Sequence, residues 1–264
     1  MAGTIRVGIG GWTFEPWRGA FYPQGTRQAG ELAFASRKLA TIEINGTYYS
    51  SQKPETFARW ASETPDGFIF SLKASRFCTN RKVLADAGES IERFFAQGVS
   101  ELGDRLGPIL WQFMPTKAFN APDMAAFLRL LPEELAGRPL RHCLEVRHPS
   151  FADAAFVELC RERRVAICLA DHPTYPMIAD VTADFVYARL MCGADDNAAC
   201  YPESDLDLWA RRLVEFASGG APADLPLLTS NAGERQGDRD VFAYFISAGK
   251  VRAPAGAIAL TSRL

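Results

Sequence analysis

Thr41-Ile42-Glu43-Ile44-Asn45 reads as a strand with two unlike faces. Side chains alternate along a strand, so Ile42 and Ile44 share one face and Glu43 and Asn45 the other. The same split recurs along the chain. In residues 142–147, Leu144 and Val146 face one way and Glu145 and Arg147 the other. Lys73 lies opposite Leu72, Gln112 opposite Trp111 and Phe113, and Asp171 opposite Ala170. Tyr187 and Arg189 lie opposite Val186, Ala188 and Leu190, and Tyr244 opposite Ala243 and Phe245.

These stretches belong to eight short apolar runs, at residues 5–10, 41–45, 68–73, 108–113, 142–147, 166–171, 184–190 and 240–245. Amphipathic, helix-like segments separate them, at 31–40, 54–63, 90–102, 121–131, 154–163 and 205–217, and the tail 253–264 can supply a last helix. The sixth crossover, 173–182, is too short for much helix. Strand and helix in alternation imply parallel βαβ units. Eight strands in 264 residues favour a closed single-domain (β/α)8 TIM barrel over residues 1–264, with an open doubly wound sheet as the alternative. No repeat or hinge divides the chain; 219–223 and 233–239 read as loops. The longer loop 191–204 follows a strand, so it is expected on the active face, where it can act as a lid.

In a barrel the helix-facing side of each strand is apolar, so the polar phase points inward, near the top. That set is Glu43, Asn45, Lys73, Gln112, Glu145, Arg147, Asp171, Tyr187, Arg189 and Tyr244. Burying ions is costly unless they are paired. A barrel built only for stability would carry Val, Ile or Leu there, and charged residues late in barrel strands read as catalytic or binding. A paired polar plug closing the barrel top is the structural alternative. Gly8 and Gly10 end the first strand and leave room for a ligand. Trp12, Trp17, Phe21, Tyr22, Tyr48 and Tyr49 are rings that can stack on a ligand or pack the loops. Glu145 and Arg147 stand about 6.5–7 Å apart along their strand. Each is therefore expected to find a partner elsewhere, Glu145 on Lys73 or another cation across the barrel and Arg147 on a ligand anion.

The net charge of −2 shows no basic surplus of the kind general nucleic-acid binders carry. No run approaches the roughly 18 apolar residues of a membrane span, and no secretory leader is read at the N-terminus, so a cytoplasmic protein is expected. The six cysteines form no CxxC pair and read as reduced thiols, mostly buried. Of three histidines, His148 and His172 follow strands five and six. With Glu43, Glu145 and Asp171 they offer a divalent-metal alternative, but the spacing matches no ligand motif, so neither metal nor cofactor is expected. No GxGxxG, GxSxG, Walker or HExxH pattern occurs.

The chain resembles domain-of-unknown-function family 72, the YecE-like family. The matching stretches include Gly8-Ile-Gly-Gly-Trp12, Trp17-Arg-Gly-Ala-Phe-Tyr-Pro23, Glu43-Ile-Asn-Gly-Thr-Tyr-Tyr49, Phe70-Ser-Leu-Lys73 and Leu106-Gly-Pro108 with Gln112. Glu145-Val-Arg-His-Pro-Ser-Phe151, Asp171, Thr182-Ala-Asp-Phe-Val-Tyr-Ala-Arg189 and the final strand complete it. The resemblance implies a TIM barrel and no particular reaction. Family members often carry an Arg-x-His-Gly turn after strand seven and Phe-Asn-Asn-Asp at the end of strand eight. This chain reads Arg189-Leu-Met-Cys-Gly193 and Phe245-Ile-Ser-Ala248, which weakens chemistry that leans on those two strands beyond Arg189.

The function read from these residues is acid–base catalysis on a small anionic or sugar-phosphate-like molecule. Glu43, Lys73, Glu145 and Asp171 are the catalytic candidates. Trp12, Asn45, Tyr48, Gln112, Arg147, His148, Tyr187, Arg189 and Tyr244 are the candidates for binding substrate. A Schiff-base role for Lys73 is disfavoured, because ion pairing with Glu145 or Glu43 is expected to keep it protonated. The alternatives are a nucleic-acid-processing phosphodiesterase, which a basic rim around the barrel mouth would favour, and a non-catalytic ligand-binding barrel.

Overall fold

The computed structural model describes residues 3–230 and 237–264. Of the expected loop at 233–239, residues 233–236 lie outside the described residues. The main sheet is parallel throughout and its strands follow chain order around a ring. They are Ile5–Gly10, Thr41–Ile44, Ile69–Lys73, Leu106–Gln112, His142–Glu145, a sixth stave in two pieces (Ala166–Ile167 and Leu169–Asp171), Phe185–Cys192 and Asp240–Ala248. The first piece of the sixth stave pairs with the fifth and the second piece with the seventh, and Cys168 N–H bridges them by donating to Leu144 O at 2.8 Å. The eighth pairs with the first, so the ring closes and the open-sheet alternative falls.

The outward apolar phase meets the surrounding helices. Pro54–Glu63 starts at a proline, whose fixed φ suits a first helical turn, and turns Phe57 and Trp60 into the core three residues apart. The helix expected at 90–102 is two pieces, Gly88–Ala96 and a 3-10 segment Val99–Arg105, because Gly98 at φ 104° breaks the run. No helix forms in 173–182, as its length implied. A short antiparallel ladder, Glu134–Leu135 with Arg138–Pro139, lies outside the barrel.

Two glycines set how closely the first stave approaches its neighbours. A Cβ on Gly8 would stand 1.9 Å from Thr41 O, whereas one on Gly10 would meet the flexible end of Ile246 at 2.5 Å. Gly8 therefore exists for strand contact and not as ligand space, which corrects its expected place in the cavity wall. Gly8→Ala is expected to destabilise by at least about 1–3 kcal/mol, the usual cost of overpacking, because backbone has to move. Gly10→Ala is expected to cost less than half as much, since a side chain can turn away. Urea melts of the two variants check this; equal losses would refute it.

None of the six cysteines forms a disulfide; five are buried and Cys192 is exposed. Among the described residues no helix is long and apolar enough to cross a membrane.

Candidate functional site

The polar phase of the staves builds a layered floor at the C-terminal end of the barrel. At its centre Arg189 is 2% exposed and lies between two carboxylates that are fully buried. Its Nη2 donates to Glu43 Oε1 at 3.0 Å and its Nη1 to Glu145 Oε2. Glu43 Oε2 accepts from the Tyr187 hydroxyl at 2.6 Å. That hydroxyl also meets Ser71 Oγ at 2.8 Å, and below it Tyr244 bonds Thr41 at 2.8 Å. Burial pushes Tyr187 and Tyr244 up, with Glu43 adding to it, so both stay neutral hydroxyls. Burial pushes the Glu145 carboxyl up too, but Arg189, Arg147 and Lys73 outweigh it and hold the group below the usual carboxylate range. Glu145 is thus an anion at neutral pH.

Arg147 departs from expectation. Its Nε donates to Glu145 Oε1 at 2.6 Å and its Nη2 to Gln112 Oε1 at 2.7 Å. The backbone spacing is as long as supposed, but the arginine side chain folds back along the strand and closes it. The guanidinium also lies over the Tyr175 ring at 4.7 Å, and Tyr175 stacks on His172 at 3.6 Å. The partner expected for Glu145 across the barrel is Arg189, not Lys73.

Lys73 is consequently left without a carboxylate. It is 6% exposed, forms no ion pair among the described residues, and its Nζ stands 4.2 Å from the centre of the Tyr48 ring. Burial and then Arg189 lower its pKa to about 8, with Arg147 adding to them and Glu43 and Glu145 opposing. The pairing that was expected to keep Lys73 protonated is absent, because both carboxylates are spent on arginines.

Above the floor opens a cavity of about 660 Å³, with Gly10, Gly11, Trp12, Asn45, Lys73, Gln112, Arg147 and Arg189 in its wall. The rest of the wall includes Tyr49, Gln52, Trp60, Ser247 and Lys250. Among the described lining residues four are cationic (Lys73, Arg147, Arg189 and Lys250) and none is acidic. Trp12 packs edge-on against Trp60 at 5.2 Å, Trp17 is buried but also borders the cavity, and Tyr22 is buried as loop core.

The remaining candidates lie elsewhere. Glu43, Glu145, Tyr187 and Tyr244 lie beneath the cavity rather than in its wall. Tyr48 packs under Lys73 and bonds Asn80; the neighbouring Tyr49, 64% exposed, is the ring at the cavity. Thr47 fixes this choice by anchoring the turn Gly46–Tyr49 to Lys73 O at 2.7 Å. His148 caps the short turn Pro149–Phe151 through Ser150 and is not in the wall. Asp171 is also outside it, held by the Tyr201 hydroxyl at 2.7 Å. That same bond ties down the loop expected as a lid: Tyr201 and Cys200 are buried, and no residue of 191–204 lines the cavity. The sequence reading missed Gln52, Ser247 and Lys250, and it placed Tyr49 among the rings able to stack or pack but chose Tyr48 as the binding residue. Tyr49, Gln52 and Lys250 sit after a strand and Ser247 at the end of the eighth, which was a usable signal, but side-chain direction in loops is not periodic. Among the described residues no three His, Cys, Asp or Glu side chains stand together to hold a metal ion. His148 and His172 bond their own loops through Ser150 and Thr174.

A closed parallel barrel with an ionic floor and a cationic cavity at its C-terminal mouth defines a TIM-barrel protein with a ligand-sized site in the usual place for this fold. The chain belongs to the family described as Protein of unknown function DUF72, whose model matches residues 6–264. UPF0759 protein YecE of Escherichia coli K12 is 29% identical over 150 residues, 56% of this chain and 50% of that protein. YunF of Bacillus subtilis is 24% identical over 159 residues, 58% of this chain and 54% of that protein. The chain thus spans about half the length of the curated relatives it matches. A DUF72 family protein from Thermotoga maritima superposes with a TM-score of 0.72 at 21% identity, covering 98% of both chains. SacUVDE superposes with a TM-score of 0.52 at 8% identity over 98% of both chains. Both likenesses are of fold alone.

Proposed function

We propose that this protein is an enzyme that moves a proton on a small anionic molecule, phosphorylated or carboxylated, taken into the barrel mouth, with Lys73 as the group that titrates. The observation that carries the reading is the cavity lining: among the described residues it has four cations, no carboxylate, and one buried ammonium with no anionic partner. Arg147 and Gln112 present remaining donors from a fixed frame, and a guanidinium suits the two oxygens of a phosphate or carboxylate. A group near neutral pKa is the efficient acid or base at physiological pH, and Lys73 at about 8 meets that condition where Glu145, held below the usual carboxylate range, does not. Glu43 and Glu145 act here as fixed counter-ions that hold Arg189 and Arg147 in place.

The test is linkage between anion and proton. An anion beside Lys73 favours the ammonium and raises its pKa, so binding takes up a proton. Affinity is then flat below about pH 8 and falls as pH rises through that value, by about tenfold or more by pH 9.5. Sulfate is the probe, because its charge is constant over this range. Calorimetric titrations should show the fall in the wild type and weak, pH-independent binding in Lys73→Met. A wild-type affinity that ignores pH, or a variant that binds as tightly, would overturn the reading.

A further inference from the structure

The loops that follow the second, third and fourth staves are residues 45–53, 74–83 and 113–120, and they contain Lys53, Arg76, Arg81, Lys82 and Lys117 but no Asp or Glu. In a chain with 29 basic and 31 acidic residues this is a local concentration of one sign at one side of the barrel mouth. Lys117 is neutralised by Asp123 at 2.8 Å. Lys53, Arg76, Arg81 and Lys82 have no carboxylate partner among the described residues; Arg81 instead donates to Phe77 O, Asp86 O and Ser90 Oγ. The same loops expose large apolar side chains: Tyr49 is 64% exposed, Phe77 61%, Val83 44% and Met114 38%. These are four of the eight large hydrophobics exposed among the described residues, gathered on three loops.

The loops form one surface. The Asn80 amide donates to the Tyr48 hydroxyl at 3.3 Å, and Tyr48 lies against Tyr49 at 5.0 Å between ring centres. Lys117 Nζ donates to Lys82 O at 2.7 Å, joining the fourth loop to the third. The Arg76 guanidinium lies 5.4 Å from the centre of the Phe77 ring. Cations without counter-ions, interleaved with solvent-facing rings, match a chain that offers negative charge and flat π-faces at close spacing.

We propose that this rim docks a single-stranded polynucleotide, its phosphates on Lys53, Arg76, Arg81 and Lys82 and its bases stacked on Tyr49 and Phe77. Deoxyribo and ribo strands share both features, so either serves. An acidic peptide answers the charge but leaves the rings unused, and a duplex hides its base faces. The overall charge of −2 argued against a general nucleic-acid surface, but that sum averages over the whole molecule and misses a local rim. The inference goes beyond the reading of the cavity and does not rest on it.

Fluorescence anisotropy tests it, using labelled short oligothymidylate and oligouridylate, a duplex of the same length and an oligoglutamate of equal charge. The single strands should bind most tightly, with log K falling linearly in log salt at a slope of about −0.7 per phosphate contacted, so about −3 for four cations. Tyr49→Ala and Phe77→Ala should each weaken strand binding about tenfold; both side chains are mostly exposed, so the fold is spared. Arg76→Ala with Lys82→Ala should flatten the salt slope by about 1.4. The proposal is overturned if the strands fail to bind at about 50 mM salt, where such contacts are strong. It is equally overturned if duplex or oligoglutamate binds as well, or if loss of both rings changes nothing. The sulfate titration reads Lys73 and this one reads the rim, so either reading can fail alone.

Discussion

Arg189→Met is expected to be among the most damaging single substitutions in the barrel. It keeps much of the side-chain volume and removes the cation that, alone among the described residues, bonds both Glu43 and Glu145. Two fully buried carboxylates are then left facing each other with only Arg147 and Lys73 near. Breaking a buried ion pair by deleting one partner costs about 3–5 kcal/mol, because desolvation of the survivor is no longer offset. A loss of that size corresponds to roughly 10 °C in Tm for a chain of this length. The pH dependence identifies the cause. In the wild type the Glu145 pKa is depressed, so its contribution is present above the unfolded value of about 4.3 and is lost only as pH falls below it. In the variant, desolvation dominates at Glu145 and its carboxyl prefers to be protonated, so the deficit should shrink as pH is lowered from 7 towards 5. Urea melts at the two pH values read this directly. A deficit that stays constant would mean that lost packing, not stranded charge, was responsible.

Lys73→Met is expected to act in the opposite direction and raise stability at neutral pH. The folded protein holds this ammonium at a pKa of about 8, against 10.5 for the free group. Between those values the unfolded chain binds more protons, so stability rises with pH across that window, and below it the buried charge is a constant cost. The 2.5-unit gap corresponds to about 3 kcal/mol as an order of magnitude, reduced by the lost contact with the Tyr48 ring. The variant should therefore melt higher than the wild type at pH 7, and the two should converge near pH 10.5. A residue kept at the expense of stability is what a functional ammonium looks like. A variant that is less stable at pH 7 would make Lys73 a structural cation and remove the basis of the proposed chemistry.

Stave positions and facing were legible in the sequence because both follow from strict period-two alternation and from the need to pack helices on the outside. Ile42 and Ile44 could only face the helices, so Glu43 had to enter the barrel, and Arg189 and Tyr187 followed by the same count. Strand ends were less legible: the fifth ends at Glu145 and the eighth runs on to Ala248, since pairing with neighbours sets these limits. What only the tertiary structure decided was the pairing within the charged layer. Alternation says that Glu43, Lys73, Glu145, Arg147 and Arg189 share an interior but not which cation each carboxylate takes. That choice depends on side-chain reach across the barrel, where the forked guanidinium of Arg189 spans to two carboxylates and Arg147 doubles back to one, leaving the single-point ammonium of Lys73 without an ion pair among the described residues. Loop residues lay further out of reach still. Tyr48 and Tyr49 are neighbours in sequence, and the bond from Thr47 to the third stave turns one under Lys73 and the other to solvent. The sequence by itself determined the barrel and the inward direction of its charges, because these rest on local periodicity. The free ammonium and the cationic cavity were settled by contacts between residues far apart in the chain, which no local pattern encodes.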